Sequence, residues 1–221
     1  MSINTINKCA SGFIALSVLI STGLAAVPAR ADQPVTSYDI PSQYKQWMVG
    51  ANSRGTITPA SGNYYNLKGL KNRKFFQYEK QGAGRGINLG WTNNATALTA
   101  KTKGKWFFHR PGGDKSPLVY GEPIAIAWYR GRSKSNYIRY ASRTIGINLD
   151  WSKRPVFEWT IFGGKLGEPV RVGQDRVILY NKKHCRPMIY FNRTAGGDIG
   201  WPDSKRWNTG VITTGQRKVC F

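Results

Sequence analysis

The stretch GINLGW at residues 86–91 returns as GINLDW at 146–151 and, in altered form, as GGDIGW at 196–201. Each copy starts with glycine, passes through Asn or Asp and then Leu or Ile, and ends in tryptophan. The tryptophans that end the copies are 60 and 50 residues apart. A repeat at such an interval indicates one structural unit used three times.

An apolar segment precedes each copy and has the pattern of a β-strand. These segments are FFQY at 75–78, YIRY at 137–140 and MIYF at 188–191. Two units also share a start, GEPI at 121–124 and GEPV at 167–170, each followed by alternating apolar residues. Alternation rich in β-branched and aromatic residues, between turn residues, is typical of short strands. We expect about four strands in each unit and an all-β fold.

This arrangement resembles the β-trefoil superfamily over residues 61–221. The resemblance rests on the GEP starts and the tryptophan-ended turns, and the Gln-x-Trp signature of ricin-B-type lectins is missing. It implies a six-stranded barrel capped by three hairpins, built from three pseudo-symmetric four-strand units. The superfamily includes sugar-binding modules, heparin-binding growth factors, protease inhibitors and toxin-targeting domains, so the fold alone does not choose a function.

Two N-terminal segments are expected to lie outside this domain. Residues 1–31 have a polar start with one basic residue, an apolar stretch over 13–27 and a small-x-small sequence ending at Ala31, as in a secretory signal peptide cleaved there. An uncleaved N-terminal anchor is the alternative. Residues 32–60 contain three prolines and are predicted to be an arm outside the repeats. A secreted or periplasmic location follows from the signal peptide.

Basic residues strongly outnumber acidic ones. The chain has 33 Lys and Arg against 11 Asp and Glu, a formal net charge of +22. The bases are spread along the sequence, so a positive field should cover much of the surface. Outside the cytoplasm, this field would attract anionic glycans, lipopolysaccharide, anionic membrane surfaces and, without specificity, nucleic acid. Solubility alone is the alternative use of such a charge.

Two cysteines, Cys185 and Cys220, remain after removal of the signal peptide. An even count in an exported chain predicts a disulfide bond, which would close a loop of roughly 36 residues and stabilise the fold by roughly 3–4 kcal/mol. Two free thiols are the alternative. No second Cys or His follows His184 at ligand spacing, so neither a metal site nor a cofactor is expected.

The sequence contains no recognised catalytic constellation, and we predict that the protein is not an enzyme. No histidine lies near a nucleophile motif. Asp150 with Glu158, and Asp198 with Asp203, are the carboxylate pairs that a secreted hydrolase could use. So few acids among so many bases are more simply explained as local ion-pair partners.

The repeated tryptophans suit two roles, and the sequence leaves both open. An indole can stack on a sugar ring, whereas symmetric positions in a threefold fold favour a shared core layer. The polar residue three positions before each tryptophan is expected to cap a tight turn, with binding of ligand hydroxyls as the alternative. The tryptophans are Trp91, Trp151 and Trp201, and the polar residues are Asn88, Asn148 and Asp198.

Ligand contacts are predicted on three connections that carry bases, one in each unit. By pseudo-symmetry these loops would gather on one face as a cationic patch, where Arg and Lys bind sulfate, phosphate or carboxylate. Solvated loop tips are the alternative. The predicted ligand-binding residues are Lys71, Arg73 and Lys74 in the first unit, Trp128, Tyr129, Arg130, Arg132 and Lys134 in the second, and Lys182, Lys183 and Arg186 in the third.

Together these features predict an exported, basic binding module for anionic glycans or other polyanionic surface ligands. A protein-interaction module, such as a toxin accessory subunit or an inhibitor, is the main alternative. A secreted hydrolase is the third hypothesis. Salt dependence separates the binding hypotheses, because screening weakens purely electrostatic binding and leaves shape-specific binding in place. Turnover that is lost in a folded Asp150→Asn or Asp198→Asn variant would identify the hydrolase.

Overall fold

Twelve short strands make up nearly all of the regular structure. The computed structural model describes residues 41–50, 55–59, 63–82, 87–93, 104–129, 135–144, 146–193 and 197–203. Two short 3-10 turns lie in these ranges, at Ser42–Tyr44 and Pro111–Gly113. The strands are β1 (Trp47–Gly50), β2 (Asn66–Gly69), β3 (Phe75–Tyr78), β4 (Leu89–Thr92), β5 (Trp106–His109), β6 (Ala125–Tyr129), β7 (Ser135–Tyr140), β8 (Leu149–Ser152), β9 (Trp159–Phe162), β10 (Ile178–Asn181), β11 (Arg186–Tyr190) and β12 (Ile199–Gly200).

The strands form three four-stranded antiparallel sheets, in the orders β1-β2-β3-β4, β5-β6-β7-β8 and β9-β10-β11-β12. This confirms the all-β prediction and the expectation of four strands in each unit. Strands β1 and β2 alternate buried and half-buried residues, as strands with one face on a core do. Corresponding second-strand residues of the three sheets, Leu67, Ile126 and Leu179, are fully buried in one shared core.

The first strand of the first sheet lies inside the segment predicted to be an arm. We placed residues 32–60 outside the repeats, and this is wrong for β1, which pairs with β2 from Trp47↔Gly69 to Gly50↔Asn66. The pairing follows from burial, because Trp47 and Val49 supply the apolar face of this sheet. The repeat pattern does not reveal β1, because fifteen residues, including Pro59, separate it from β2.

The tryptophan at the start of each first strand is fully buried and bonds to another sheet. The indole N–H of the second sheet's tryptophan donates to a backbone carbonyl in the third strand of the first sheet, and that of the third sheet donates to the third strand of the second. The tryptophan of the first sheet donates in the same way to the third strand of the third sheet. The hydrogen bonds therefore run in a cycle, as buried indoles that need an acceptor allow. They join Trp106 to Phe76 O at 2.9 Å, Trp159 to Ile138 O at 2.7 Å and Trp47 to Met188 O at 2.6 Å.

Isolated β-bridges follow the same cycle. In the described residues the three sheets stay separate, and the continuous six-stranded barrel implied by the resemblance is not formed. Each sheet instead meets the next through a bridge formed by the buried tryptophan itself. These bridges are Tyr65↔Trp106, Ile124↔Trp159 and Trp47↔Val177.

A second cycle joins three fully buried residues that precede the second strands. Leu118 N donates to Ile57 O at 2.7 Å, Val170 N to Leu118 O at 2.9 Å and Ile57 N to Val170 O at 3.0 Å. Val170 therefore corresponds to Leu118, and the sequence alignment that matched it to Ile124 is wrong. The two GEP segments also differ, because Glu122 forms a largely buried ion pair with Arg110 at 2.6 Å, whereas Glu168 is exposed and lies 3.9 Å from the exposed Lys165.

The third unit is aligned one residue differently from the sequence prediction. Tyr190 pairs with Ile199, as Tyr78 pairs with Leu89 in the first sheet. The segment matched to FFQY is therefore 187–190, and not 188–191. The proline at position 187 obscured this match in the sequence.

The predicted signal peptide, residues 1–31, lies outside the described residues, so export remains a prediction. Cys220 also lies outside them, and the predicted disulfide bond stays untested. Its proposed partner Cys185 is buried in the turn between β10 and β11. In the part of the chain that is described, no helix is long and apolar enough to cross a membrane.

Candidate functional site

A tyrosine near the end of each sheet's third strand lies against the neighbouring sheet. These residues are Tyr78, Tyr140 and Tyr190, which pair with Leu89, Leu149 and Ile199 respectively. The matching register puts the three rings in corresponding places. They can therefore be compared as three versions of one site.

Two of the three tyrosines are covered by a ring of their own chain. Tyr78 stacks on Trp128 with ring centroids 4.1 Å apart and an interplanar angle of 7°. Tyr140 stacks on His184 at 4.5 Å and 18°. Trp128 belongs to the second strand of the next sheet, β6, and His184 to the turn between the second and third strands of the next sheet, β10 and β11. A stacked ring at this distance leaves no room for a ligand on that face.

Tyr190 differs from the other two. The hairpin between β2 and β3 of the first unit brings Lys71, whose ammonium lies 6.0 Å from the Tyr190 ring centroid. Trp91 meets the same ring at 5.8 Å and 67°, which is an edge contact. Among the described residues, no ring stacks on the half-buried Tyr190, whose neighbours are the Lys71 ammonium and the edge of Trp91.

Tyr190 lies in a cleft of about 770 Å³ between the first and third units. The neighbouring Phe191 is 48% exposed, and the Arg193 guanidinium lies 5.6 Å from its ring centroid. Lys71 and Arg176, both exposed, bring positive charge, and Asp203 is the cleft's acidic residue. The lining consists of Ser42, Gln43, Tyr44, Lys45, Gln46, Leu70, Lys71, Arg176, Ile189, Tyr190, Phe191, Asn192, Pro202 and Asp203.

Gln46 holds the two sides of the cleft together. Its side-chain Oε1 accepts a hydrogen bond from Tyr190 N at 3.2 Å, and its backbone carbonyl accepts one from Leu70 N at 2.8 Å. Lys45 donates to Gly163 O at 2.9 Å, so its ammonium serves the fold. Lys71 and Arg176 are the cations that face the cleft without such a bond among the described residues.

Most of the predicted ligand-binding residues lie outside this cleft. Lys71 lines it, whereas Arg73 and Lys74 are exposed farther along the same hairpin. Trp128 is 6% exposed and stacks against Tyr78, so it is not available to a ligand. Tyr129 packs on Tyr64 at 4.8 Å.

The third-unit hairpin carries its predicted bases separately from the cleft. Lys183 is exposed. Lys182 is half-buried, and loss of water around its ammonium lowers its pKa. Arg186 donates to Pro202 O at 3.5 Å. The predicted residues Arg130, Arg132 and Lys134 lie outside the described residues, so whether all three loops form one cationic face stays a prediction.

The repeated tryptophans pack against the core. Trp91, Trp151 and Trp201 are each half-buried beside the main apolar cluster. Trp91 stacks on Trp47 at 5.4 Å and donates to Gly197 O at 2.7 Å. These contacts place the indoles in the shared layer that the sequence favoured.

The polar residues of the repeated turns act as backbone caps, as predicted. Each accepts a backbone N–H from the start of its turn through its side-chain oxygen, which closes the turn. The bonds join Gln81 N to Asn88 at 3.0 Å, Arg143 N to Asn148 at 3.1 Å and Arg193 N to Asp198 at 3.1 Å.

Two of the carboxylates considered for hydrolysis have structural partners. Asp150 forms ion pairs with Arg139 at 3.1 Å and Arg143 at 2.9 Å. Burial acts to raise the pKa of Asp150, but the hydrogen bonds and the two arginines outweigh it and lower the pKa. Glu158 is buried and accepts hydrogen bonds from Tyr140 N and from Asn181.

Sequence reasoning missed three residues of the cleft, namely Tyr190, Phe191 and Arg176. Tyr190 could have been found, because each third strand has a tyrosine at the same place once β11 is aligned correctly. Arg176 carries no local signal, since it reaches the cleft only through the packing of the third sheet on the first. Comparison with known proteins adds no assignment, because no family model, no curated protein and no solved structure matches the chain.

Proposed function

We propose that the chain is an exported binding module for anionic glycans, and that the cleft around Tyr190 is its ligand site. The observation that carries this proposal is the open ring of Tyr190 beside exposed Phe191, with the cations Lys71 and Arg176 in the same cleft. Ligand pockets typically combine aromatic walls with a few convergent polar groups.

The two kinds of residue suit two parts of an acidic sugar. An aromatic ring packs against the apolar C–H face of a pyranose and gains from removing that face from water. Lys71 and Arg176 complement a carboxylate, sulfate or phosphate on the same ligand. The amides of Gln43 and Asn192 in the lining suit sugar hydroxyls.

The charge of the whole chain supports the same class of ligand. A formal charge of +22 concentrates polyanions near the surface before any of them reaches the cleft. An acidic polysaccharide, lipopolysaccharide or an anionic membrane surface would gain from this attraction, and nucleic acid would gain from it only without specificity.

A β-trefoil arrangement of the three units is part of this proposal. It is supported by the cyclic indole bonds, the cyclic bridges and the ring of Ile57, Leu118 and Val170, each of which repeats once in every unit. In such an arrangement the three tyrosines occupy equivalent places around one axis, and the cleft is the place where one of them is open.

Binding rather than catalysis is favoured by the use of three of the four carboxylates considered for hydrolysis, the fourth being Asp203 in the cleft. Asp150 is paired with two arginines, Asp198 caps a turn and Glu158 accepts backbone and amide hydrogen bonds inside the fold. A general acid or base must keep a proton-accepting oxygen available to a substrate.

A panel of tetrasaccharides tests the proposal. It compares heparin-derived, hyaluronan-derived and neutral chitin-derived tetrasaccharides at about 0.05 M and about 0.5 M salt, because the higher salt screens exposed charges beyond a few ångströms. We expect binding of at least one acidic tetrasaccharide at both salt concentrations, with the neutral one excluded. A blank panel at both concentrations would refute the proposal.

Two pairs of variants locate the binding. Tyr190→Ala should weaken binding by about tenfold at both salt concentrations, whereas Tyr140→Ala, which removes a tyrosine already covered by His184, should leave affinity unchanged. Lys71→Ala should weaken binding mainly at low salt and flatten the salt dependence. Lys153→Ala removes the same charge from an exposed residue outside the cleft and should have little effect.

The competing functions give different results in the same assays. Binding of every polyanion with a single salt dependence, unaffected by Tyr190→Ala, would indicate non-specific attraction. A blank panel combined with capture of a protein partner at high salt would indicate the protein-interaction module.

A further inference from the structure

We infer that the chain binds one sugar ring at a time, because its own Trp128 and His184 occupy the two other tyrosines. This inference rests on the proposed function and specifies how many sites of that kind the chain has. Three corresponding tyrosines would otherwise offer three equivalent platforms. The two covering rings therefore determine the valency of the protein.

The hairpins of the first and third units correspond residue by residue. Lys68 pairs with Phe75 and Tyr180 pairs with Pro187, so both hairpins have the same length. The backbone also agrees, because Arg73 and Cys185 each have a φ of 58°, an uncommon value outside glycine. With this alignment, Lys71 corresponds to Lys183 and Asn72 corresponds to His184.

The difference between Asn72 and His184 at corresponding positions therefore explains why Tyr190 is open and Tyr140 is covered. The His184 ring stacks on Tyr140 and lies 4.5 Å from Trp201. Asn72, in the corresponding place, turns back to its own hairpin, where its Oδ1 accepts Lys74 N at 3.1 Å. It leaves the neighbouring Tyr190 uncovered. An asparagine has no ring that could take the place of the histidine.

The second unit covers its neighbour by a different residue. Ala127 pairs with Tyr137, which places Trp128 where the first unit has Gly69. The Trp128 indole lies nearly parallel to Tyr78 and within 5.9 Å of Trp151. The first unit has Gly69 at that place, where a Cβ would clash with Asn72 Oδ1 and lie only 2.7 Å from the Trp91 ring, so the first unit cannot carry a covering side chain there.

The site at Tyr190 selects a sugar ring that carries an acidic group, because the Lys71 ammonium lies near Tyr190 in place of a stacked aromatic ring. The Lys71 ammonium lies over the Tyr190 ring, whereas Tyr78 and Tyr140 are each stacked with an aromatic ring. A pyranose that displaces water from Tyr190 brings its carboxylate or sulfate close to Lys71. A neutral sugar would have no partner for this cation.

Reciprocal exchange of the two hairpin residues tests the inference. The number of acidic tetrasaccharides bound per chain is measured by native mass spectrometry and by titration calorimetry, with the best-binding member of the panel as the probe. We expect one for the unaltered chain, two for His184→Asn and at least a tenfold loss of affinity for Asn72→His. Adding Tyr190→Ala to His184→Asn should return the count to one. Circular dichroism checks that each variant is folded.

Each outcome distinguishes this inference from the proposed function. Two or three molecules bound to the unaltered chain would overturn single occupancy while leaving glycan binding intact. A folded His184→Asn variant that still binds one, or an Asn72→His variant with full affinity, would show that the covering ring does not control access. If His184→Asn does not fold, the Asn72→His result alone decides. No binding by the unaltered chain would remove the proposed function and this inference together.

Discussion

Replacing Trp159 by phenylalanine is expected to lower the free energy of unfolding by about 2–4 kcal/mol. The Trp159 indole is fully buried and donates to Ile138 O at 2.7 Å. Phenylalanine keeps most of the apolar contact but has no N–H. The substitution therefore isolates one of the three bonds that join the sheets in a cycle.

Two effects make up this loss. The carbonyl of Ile138 stays buried without its donor, which costs about 1–3 kcal/mol. The smaller ring leaves a gap of roughly 40 Å³, which at about 24 cal/mol per Å³ adds about 1 kcal/mol. The estimate assumes that the neighbouring side chains do not move into the gap, as is usual in a close-packed interior.

Trp151→Phe is the matched control. The indole nitrogen of Trp151 is also buried, but it has no hydrogen-bond partner among the described residues. Phenylalanine there removes an unsatisfied donor, which offsets the loss of packing, so the free energy of unfolding should change by less than about 1 kcal/mol. Guanidinium unfolding, followed by fluorescence and by circular dichroism, measures both variants. Equal destabilisation by the two substitutions would refute the reasoning.

Three further predictions concern the symmetry, the turns and the pH dependence. Trp47→Phe and Trp106→Phe should each cost the same as the Trp159 substitution within about 1 kcal/mol in guanidinium unfolding, and unequal losses would contradict the cyclic correspondence of the three indoles. Asn148→Ala should lower the free energy of unfolding by about 1 kcal/mol in the same assay, because Arg143 N loses its acceptor; Asn192→Ala, which removes an exposed asparagine, is the control. Burial lowers the pKa of His109, so below about pH 6.5 the unfolded chain binds more protons than the folded one, and stability should fall as the pH drops. His109→Gln should show a smaller fall in urea midpoint between about pH 8 and about pH 5, and an identical fall would exclude His109 as its cause.

Local patterns were sufficient to predict the repeated turns and the strands beside them, but not β1, which lies in the segment predicted to be an arm. Asn88, Asn148 and Asp198 bond within a few residues of themselves, so their role depends only on nearby sequence. The half-buried layer of Trp91, Trp151 and Trp201 was also within reach, because burial of a repeated large residue repeats with it. The four-strand units were therefore predictable without any knowledge of how they meet.

The contacts between units could not be read from local sequence. Val170 and Ile124 both follow the sequence Gly-Glu-Pro. Val170 joins the hydrogen-bond cycle with Ile57 and Leu118, whereas Ile124 forms a β-bridge with Trp159. The open face of Tyr190 depends on which residue of another hairpin reaches it, and Asn72 and His184 carry no sign of that partner. The basic residues were the prominent signal, yet Lys71 alone among the described predicted residues lines the cleft.

The bond from Trp47 to Met188 spans 141 positions of the chain, whereas the two other indole bonds span 30 and 21. Bringing such distant positions together costs chain entropy before the contact can form and stabilise the fold. Folds dominated by non-local pairing therefore form slowly. A partly synthesised chain that ends before β11 has no acceptor for its first indole. We therefore expect a fragment ending at residue 152 to lack a cooperative unfolding transition. The rest of the polypeptide would then reach its cooperative folded state only after its last third has been synthesised.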